Sequence, residues 1–273
     1  MGGTLLRLVD QGHEVHVAYQ TSGNIAVFDD EVIRFLDFAT AIEEENRELQ
    51  EQFRKVRSFL SQKKPGEVDS PEIQNFKALI RKGEALSACR YCGVQEAHAH
   101  FMNLPFYQTG TVKKKPHSEA DIQQTYDLLQ ALKPHQIFAA GDLSDPHGTH
   151  RVCLEIIFQA LDRLKKEGAS WIADCYVWLY RGAWQEWDIA DMEMAVPIGP
   201  KDLERKRNAI FKHQSQKDSA MFPGHDEREF WQRAEHRNKE TARKYDKLGM
   251  AEYEAIEGFV RYHFNDGPGS VNP

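Results

Sequence analysis

Ten residues, Gly141 to His150, hold two aspartates and two histidines in one polar stretch. Carboxylates and imidazoles are the side chains that bind divalent cations, orient neighbouring ligands and move protons near neutral pH. His147 and His150 stand three apart, so both rings can face one pocket as a helix begins. Asp145 is placed to accept a hydrogen bond from an imidazole N–H, although an aspartate before proline is also an ordinary turn residue. The flanking sequence says where this loop lies. Gln136 to Ala140 is an apolar run that predicts a buried strand, and Leu154, Ile157, Phe158, Leu161 and Leu164 mark one face of a following helix. A polar strand-to-helix loop sits at the strand's carboxyl end, where open α/β sheets place their ligands. The arrangement amounts to half of a metal-hydrolase site.

Two other groupings have spacing that could carry chemistry. Cys89-Arg-Tyr-Cys92 has the separation of a redox pair, but it falls near a helix end and no second pair completes a zinc knuckle. Structural burial is the expected role. His98-Ala-His100 puts two histidines on one strand face, as amidohydrolase-type metal sites do; that fold needs eight βα units, about twice what this sequence offers.

The elements that must position these residues follow from pattern. Residues 2–11 predict a helix stopped by Gly12, and 13–19 alternate like a strand that ends in the turn Thr21 to Asn24. A helical stripe runs over 30–60, interrupted at Glu43-Glu44-Glu45. Ser70-Pro71 caps a helix toward Cys92. Further segments are a short strand at 97–101, a loop over 103–116 and a helix over 118–132. Beyond the histidine loop come strands at 171–180 and 194–198, helices at 201–217 and 226–248, and a final edge strand at 257–262. The expected fold is α/β and Rossmann-like, a mostly parallel sheet with helices on both faces. Such folds open with a strand, and none precedes Met1, so the expectation includes a missing first strand. Residues 1–273 read as one domain, with a helical insertion over 30–95 and a C-terminal helical part over 200–273.

With 273 residues a substantial core can be buried, and 35 basic against 42 acidic residues give a net charge of −7. That balance argues against non-specific nucleic-acid binding. No apolar run is long enough to span a membrane, and the four cysteines make no disulfide framework. Cytoplasmic is the default location.

Several motifs, in order, resemble the PIG-L/LmbE-like family of zinc-dependent deacetylases. Met1-Gly-Gly-Thr-Leu resembles the start of the family's first helix, and His13 to Asn24 its second strand and turn. Arg81-Lys-Gly-Glu84 is similar to its Arg-x-x-Glu helix motif, and His147-Gly-Thr-His150 to its His-x-x-His motif, with Gly-Thr in place of the usual Pro-Asp. Lys206 to Gln216 resembles its late helix, including His213-Gln-Ser-Gln216. The helix over 30–60 looks like the deacetylase-like portion fused to glucosamine-6-phosphate deaminase-like proteins.

This resemblance implies a hydrolase that removes acetyl groups from an N-acetylglucosamine-type substrate, an amino sugar or small glycoconjugate. It implies His150 as a metal ligand, His147, His213 and Asp145 as catalytic or orienting groups, and Arg81 and Asn24 as substrate-binding residues. It also implies Zn2+ for the complete family site. The family's His-Pro-Asp-Asp segment, which supplies two further ligands and a general base, does not occur in these 273 residues. The expectation is therefore an incomplete, inactive site, with zinc at His150 weak or absent. An open sheet edge would also favour a homo-oligomer. Two alternatives stand beside this reading: a non-catalytic carbohydrate-binding or regulatory domain, and the C-terminal part of a deaminase-like fusion protein.

Overall fold

The computed structural model describes residues 1–42, 45–141, 148–182, 185–216 and 228–264. Helix α1 spans Gly2–Asp10, and the chain leaves it through Gly12 at φ +81°. There the Gly12 and His13 amides bond the carbonyls of Val9 and Leu8, closing the helix end. Strand β1 covers only Val17–Tyr19, shorter than the alternating stretch, because its partner β2 is limited to Ala99–Phe101. The two run parallel.

Three helices fill the region between these strands. The stripe over 30–60 is split into α2, Asp29–Ile42, and α3, Arg47–Gln62, where the Asn46 side chain accepts the Leu49 amide at 3.1 Å. Helix α4, Pro71–Cys92, starts behind Ser70 and stops at Gly93, as the sequence predicts. Together they bury Val32, Leu36, Phe53, Val56, Ile73 and Ile80 in a core of their own. Lys63 and Lys77 each bridge Asp29 and Asp69, tying the three helices at one end.

The second half supplies α5 (Glu119–Leu132), β3 (Gln136–Ala140), α6 (Thr149–Lys166), β4 (Tyr176–Tyr180), β5 (Met194–Ile198), α7 (Pro200–Ile210), α8 (Phe230–Lys247) and β6 (Ala255–Tyr262). The strand expected over 171–180 begins late: Ser170–Asp174 is a 3-10 turn that buries Ile172. Strand order is β3-β4-β6-β5, with β3 and β4 parallel and β6 antiparallel to both its neighbours. The sequence reading made 257–262 an edge. It is interior, and Ala255 to Val260 are all buried.

The α/β class holds, but the described strands form two sheets, β1-β2 and β3-β4-β6-β5, and only half of the pairings are parallel. A cleft separates β1 from β3, and each of these two strands has a described neighbour on one side only.

A buried carboxylate joins the pieces. Glu257 Oε1 accepts the Gly3 amide at 3.1 Å, and Oε2 accepts both the amide and the hydroxyl of Thr4 at 2.7 Å. These are the orphan donors at the start of α1, where the helix dipole favours negative charge. Lys206 Nζ lies 2.7 Å from Glu257 and 2.5 Å from Asn238 Oδ1, and Asn238 Nδ2 donates to the Ile256 carbonyl at 2.9 Å. Burial alone would raise the Glu257 pKa, but Lys206 and the donated hydrogen bonds hold it well below the usual carboxylate range. Gly3 is small for a reason: a Cβ there would stand 2.5 Å from Ile198 Cδ1, so α1 could not settle as closely on β5.

Glu257→Gln should destabilise the protein by about 3–5 kcal/mol, since it strands the Lys206 ammonium in the interior. Urea unfolding reads this as a lower midpoint, and adding Lys206→Met should restore part of the loss. The wild-type contribution is present above the unfolded carboxyl pKa of about 4.3 and is lost as pH falls through the lower folded value.

Candidate active site

Arg81 and Glu84 lie one turn apart on α4, with Arg81 Nη1 donating to Glu84 Oε2 at 2.7 Å. Glu84 also reaches across the chain. Its Oε1 accepts the Ser215 amide at 2.5 Å and its Oε2 the Ser215 hydroxyl at 2.9 Å. The helix expected over 201–217 ends at Ile210: the Lys212 and His213 amides turn back to Ala209 and Ile210 in three-residue bonds, and Gln214–Gln216 forms a 3-10 turn in which the Ser215 amide bonds the Glu84 carboxylate. Gln216 Nε2 then donates to the Ala26 carbonyl at 2.6 Å, anchoring the turn to the segment after β1. Two motifs that are far apart in sequence are thus one structural unit.

That unit faces the cleft between β1 and β3, which has a volume of about 1110 Å³. At the carboxyl ends of the strands Arg81, His213, Asn103, Tyr180 and His150 line it. Gly23, at φ +66°, permits the turn after β1 to close on Arg81, since a Cβ would lie 3.1 Å from Arg81 Nε. His150 is exposed, in the first turn of α6, behind Gly148 at φ +66°.

The chemistry of His213 is set by its surroundings. Burial first, then the Arg81 guanidinium, pulls its pKa down to about 4, against the weaker opposing effect of Glu84. Its Nδ1 is buried and has no hydrogen-bond partner among the described residues. A neutral imidazole at pH 7 suits hydrogen-bond donation to a developing negative charge better than delivery of a proton.

Of the residues singled out in the sequence, Arg81, His150 and His213 share this cleft at the carboxyl ends of the strands, and His100 lines it at the opposite end. Asn24 is buried and does not line it, and its Oδ1 has no hydrogen-bond partner among the described residues. Asp145 and His147 lie outside the described residues. Cys89 and Cys92 are free and buried, and burial pushes both thiols up, Cys92 to about 11, so neither is a reactive thiolate. Sequence reasoning missed Glu257 and the role of Lys206; the signal was a lone acid inside the otherwise apolar Ala255 to Val260.

A catalytic zinc needs three protein ligands. Among the described residues the one cluster of three or more potential ligands is Glu14, His16 and His98, and it does not include His150. The described surroundings of His150 therefore do not fit a zinc centre by themselves.

The chain belongs to the PIG-L family: the family profile, GlcNAc-PI de-N-acetylase, matches residues 1–161. It is 55% identical over 267 residues to a Bacteroides thetaiotaomicron protein named as glucosamine-6-phosphate deaminase-like, covering 96% of this chain and 40% of that protein. The chain thus spans well under half the length of that relative. Its fold is similar to that of the N,N'-diacetylchitobiose deacetylase from Pyrococcus horikoshii, with TM-score 0.58 and 18% identity over 99% of this chain and 82% of that one. It is also similar to the 4-carboxy-2-hydroxymuconate hydratase of Pseudomonas putida, with TM-score 0.56 and 14% identity over 100% and 92% of the respective chains. At these identities the likeness is one of fold.

NMR titration of the imidazoles should place His213 near pH 4, and Arg81→Gln should move it upward toward the ordinary value. Because the unfolded ring takes its proton near pH 6.5, stability should fall as pH drops from there to about 4. A His213 ring that titrates near 6.5 in the folded protein contradicts the burial described.

Proposed function

We propose that this chain carries the substrate-binding side of a hydrolase that removes an acetyl group from an N-acetylglucosamine-type substrate. The observation that carries this reading is the convergence of Arg81, His213 and His150 on one cleft, with Glu84 bonded to Arg81 and to Ser215, two residues after His213. Arg81 offers a fixed cationic donor for sugar hydroxyls or a phosphate. Amide hydrolysis places negative charge on the carbonyl oxygen as water adds, and then expels an amine that must gain a proton. With Nδ1 buried and unpartnered, the neutral tautomer that leaves least unsatisfied carries its proton on Nε2, ready to donate to that oxygen. His147 is the proposed group for the leaving amine, oriented by Asp145, and His150 the proposed zinc ligand.

The remaining donors have to come from elsewhere. The edges of β1 and β3 that have no neighbour among the described residues border the cleft, so an additional strand between them would complete one continuous sheet and could bring a His-Pro-Asp-Asp segment to the site. The chain alone is proposed to be inactive. The 40% span of the Bacteroides relative supports reading it as a portion of a longer deaminase-like fusion. The compartment is proposed to be the cytoplasm, in keeping with free cysteines and with no described helix long and apolar enough to cross a membrane.

Acetate release from N-acetylglucosamine and its phosphate is the test. The chain alone should release none, and a version extended by a strand bearing His-Pro-Asp-Asp should do so in the presence of zinc. In the extended protein His150→Ala should lose metal and activity together, while His213→Ala should keep metal and lose about 10²-fold in turnover. Full activity after replacing both His147 and His213 rules out the mechanism. Sugar binding without acetate release by the extended protein favours a carbohydrate-binding domain.

A further inference from the structure

The amino ends of β1 and β2 gather histidines that the de-N-acetylase reading does not use. The strands pair in parallel, Val17 opposite Ala99 and Ala18 opposite His100, so the residues that lead into them, Glu14 and His16 on one side and His98 on the other, come together. The His16 ring stacks on His98 with centroids 4.1 Å apart and 27° between planes, and on His100 at 5.2 Å and 22°. His16 Nε2 lies 3.0 Å from Glu14 Oε1, and His16 Nδ1 lies 2.9 Å from His100 Nε2. One ligand atom from each of Glu14, His16 and His98 falls within 4.8 Å of the others.

We propose that Glu14, His16 and His98 form a binding site for a divalent transition metal of the zinc, nickel or copper class, which clamps β1 to β2. Two nitrogens and one carboxylate oxygen are the donor set that such ions prefer over calcium or magnesium. Around a tetrahedral ion with bonds of about 2.0–2.1 Å, donor atoms sit about 3.3–3.5 Å apart. To bind, the His16–His98 stack opens so that each ring directs an in-plane nitrogen at the ion, and the exposed Glu14 side chain turns toward it. The fourth position is left to water.

The hydrogen bond to His100 gives the site its second half. A histidine that ligates through Nε2 carries its proton on Nδ1 and donates it to a neighbour, which fixes the ring. His100 Nε2 stands where that acceptor is needed. A parallel pair of three-residue strands is a weak element on its own, and a metal that joins its leading ends adds stability it otherwise lacks. The site precedes the strands, whereas Arg81, His213 and His150 lie at their carboxyl ends, so the two can be tested apart.

Equilibrium dialysis of the full chain with Zn2+ at pH 7.5 should find one bound equivalent, and Co2+ in its place should give the visible absorption of a four- or five-coordinate ion. Glu14→Gln and His98→Ala should each weaken zinc binding at least tenfold. Glu14 is exposed, so the first substitution leaves folding intact, which circular dichroism checks. His100→Ala should weaken binding by about 10–100-fold without removing a ligand. His150→Ala should leave this equivalent unchanged. Absence of zinc binding overturns the proposal, as does binding unaffected by Glu14→Gln and His98→Ala, or binding lost with His150→Ala. The last result would place the metal at the other end of the cleft.

Discussion

A carboxylate taken out of water has to be matched completely, and Glu257 is the clearest case in this molecule. It sits in the interior strand β6, yet its partners come from three other elements: the amides that open α1, the Lys206 ammonium of α7 and, through Lys206, Asn238 of α8. The requirement works in both directions. Helix α1 needs an acceptor for its first amides, and the buried acid needs donors. One group therefore fixes where α1 lies on the sheet, and α1 forms one wall of the cleft.

Glu84 repeats the principle nearer the chemistry. It bonds Arg81 on its own helix and both the amide and the hydroxyl of Ser215 from a segment more than a hundred residues later, and so it determines where His213 points. His213 is neutral because of this packing rather than because of any direct partner; burial and the adjacent guanidinium both disfavour its cation. Position and protonation state of the ring thus have one structural cause. Arg81, which reaches the cleft, is held by Glu84, a buried acid that does not.

Local pattern carried much of the architecture into the sequence. Ser70-Pro71 and Gly93 mark the ends of α4 because capping is a short-range interaction, and the apolar run Gln136 to Ala140 marks β3 for the same kind of reason. The parts that were not legible depend on partners distant in sequence. Strand β1 is short because β2 is short, the turn after α7 is held where Glu84 bonds Ser215, and β6 is central although it carries an acid, because Lys206 and α1 are waiting for that charge. In the site, Arg81, Glu84 and His213 could be picked out by motif order, but their contact through Ser215 could not. The cluster at Glu14, His16 and His98 was half seen, as His98 and His100, since only the parallel pairing brings His16 beside them.

The central claim, that the cleft beside Arg81 and His213 receives an N-acetylated sugar, can be tested directly by NMR shift mapping during titration with N-acetylglucosamine 6-phosphate. The account predicts saturable shifts at the Arg81 guanidinium, the His213 ring and the Gly23 amide, with those at His213 lost in Arg81→Gln. Shifts confined to other surfaces, or the same response in Arg81→Gln as in the unaltered protein, would contradict it.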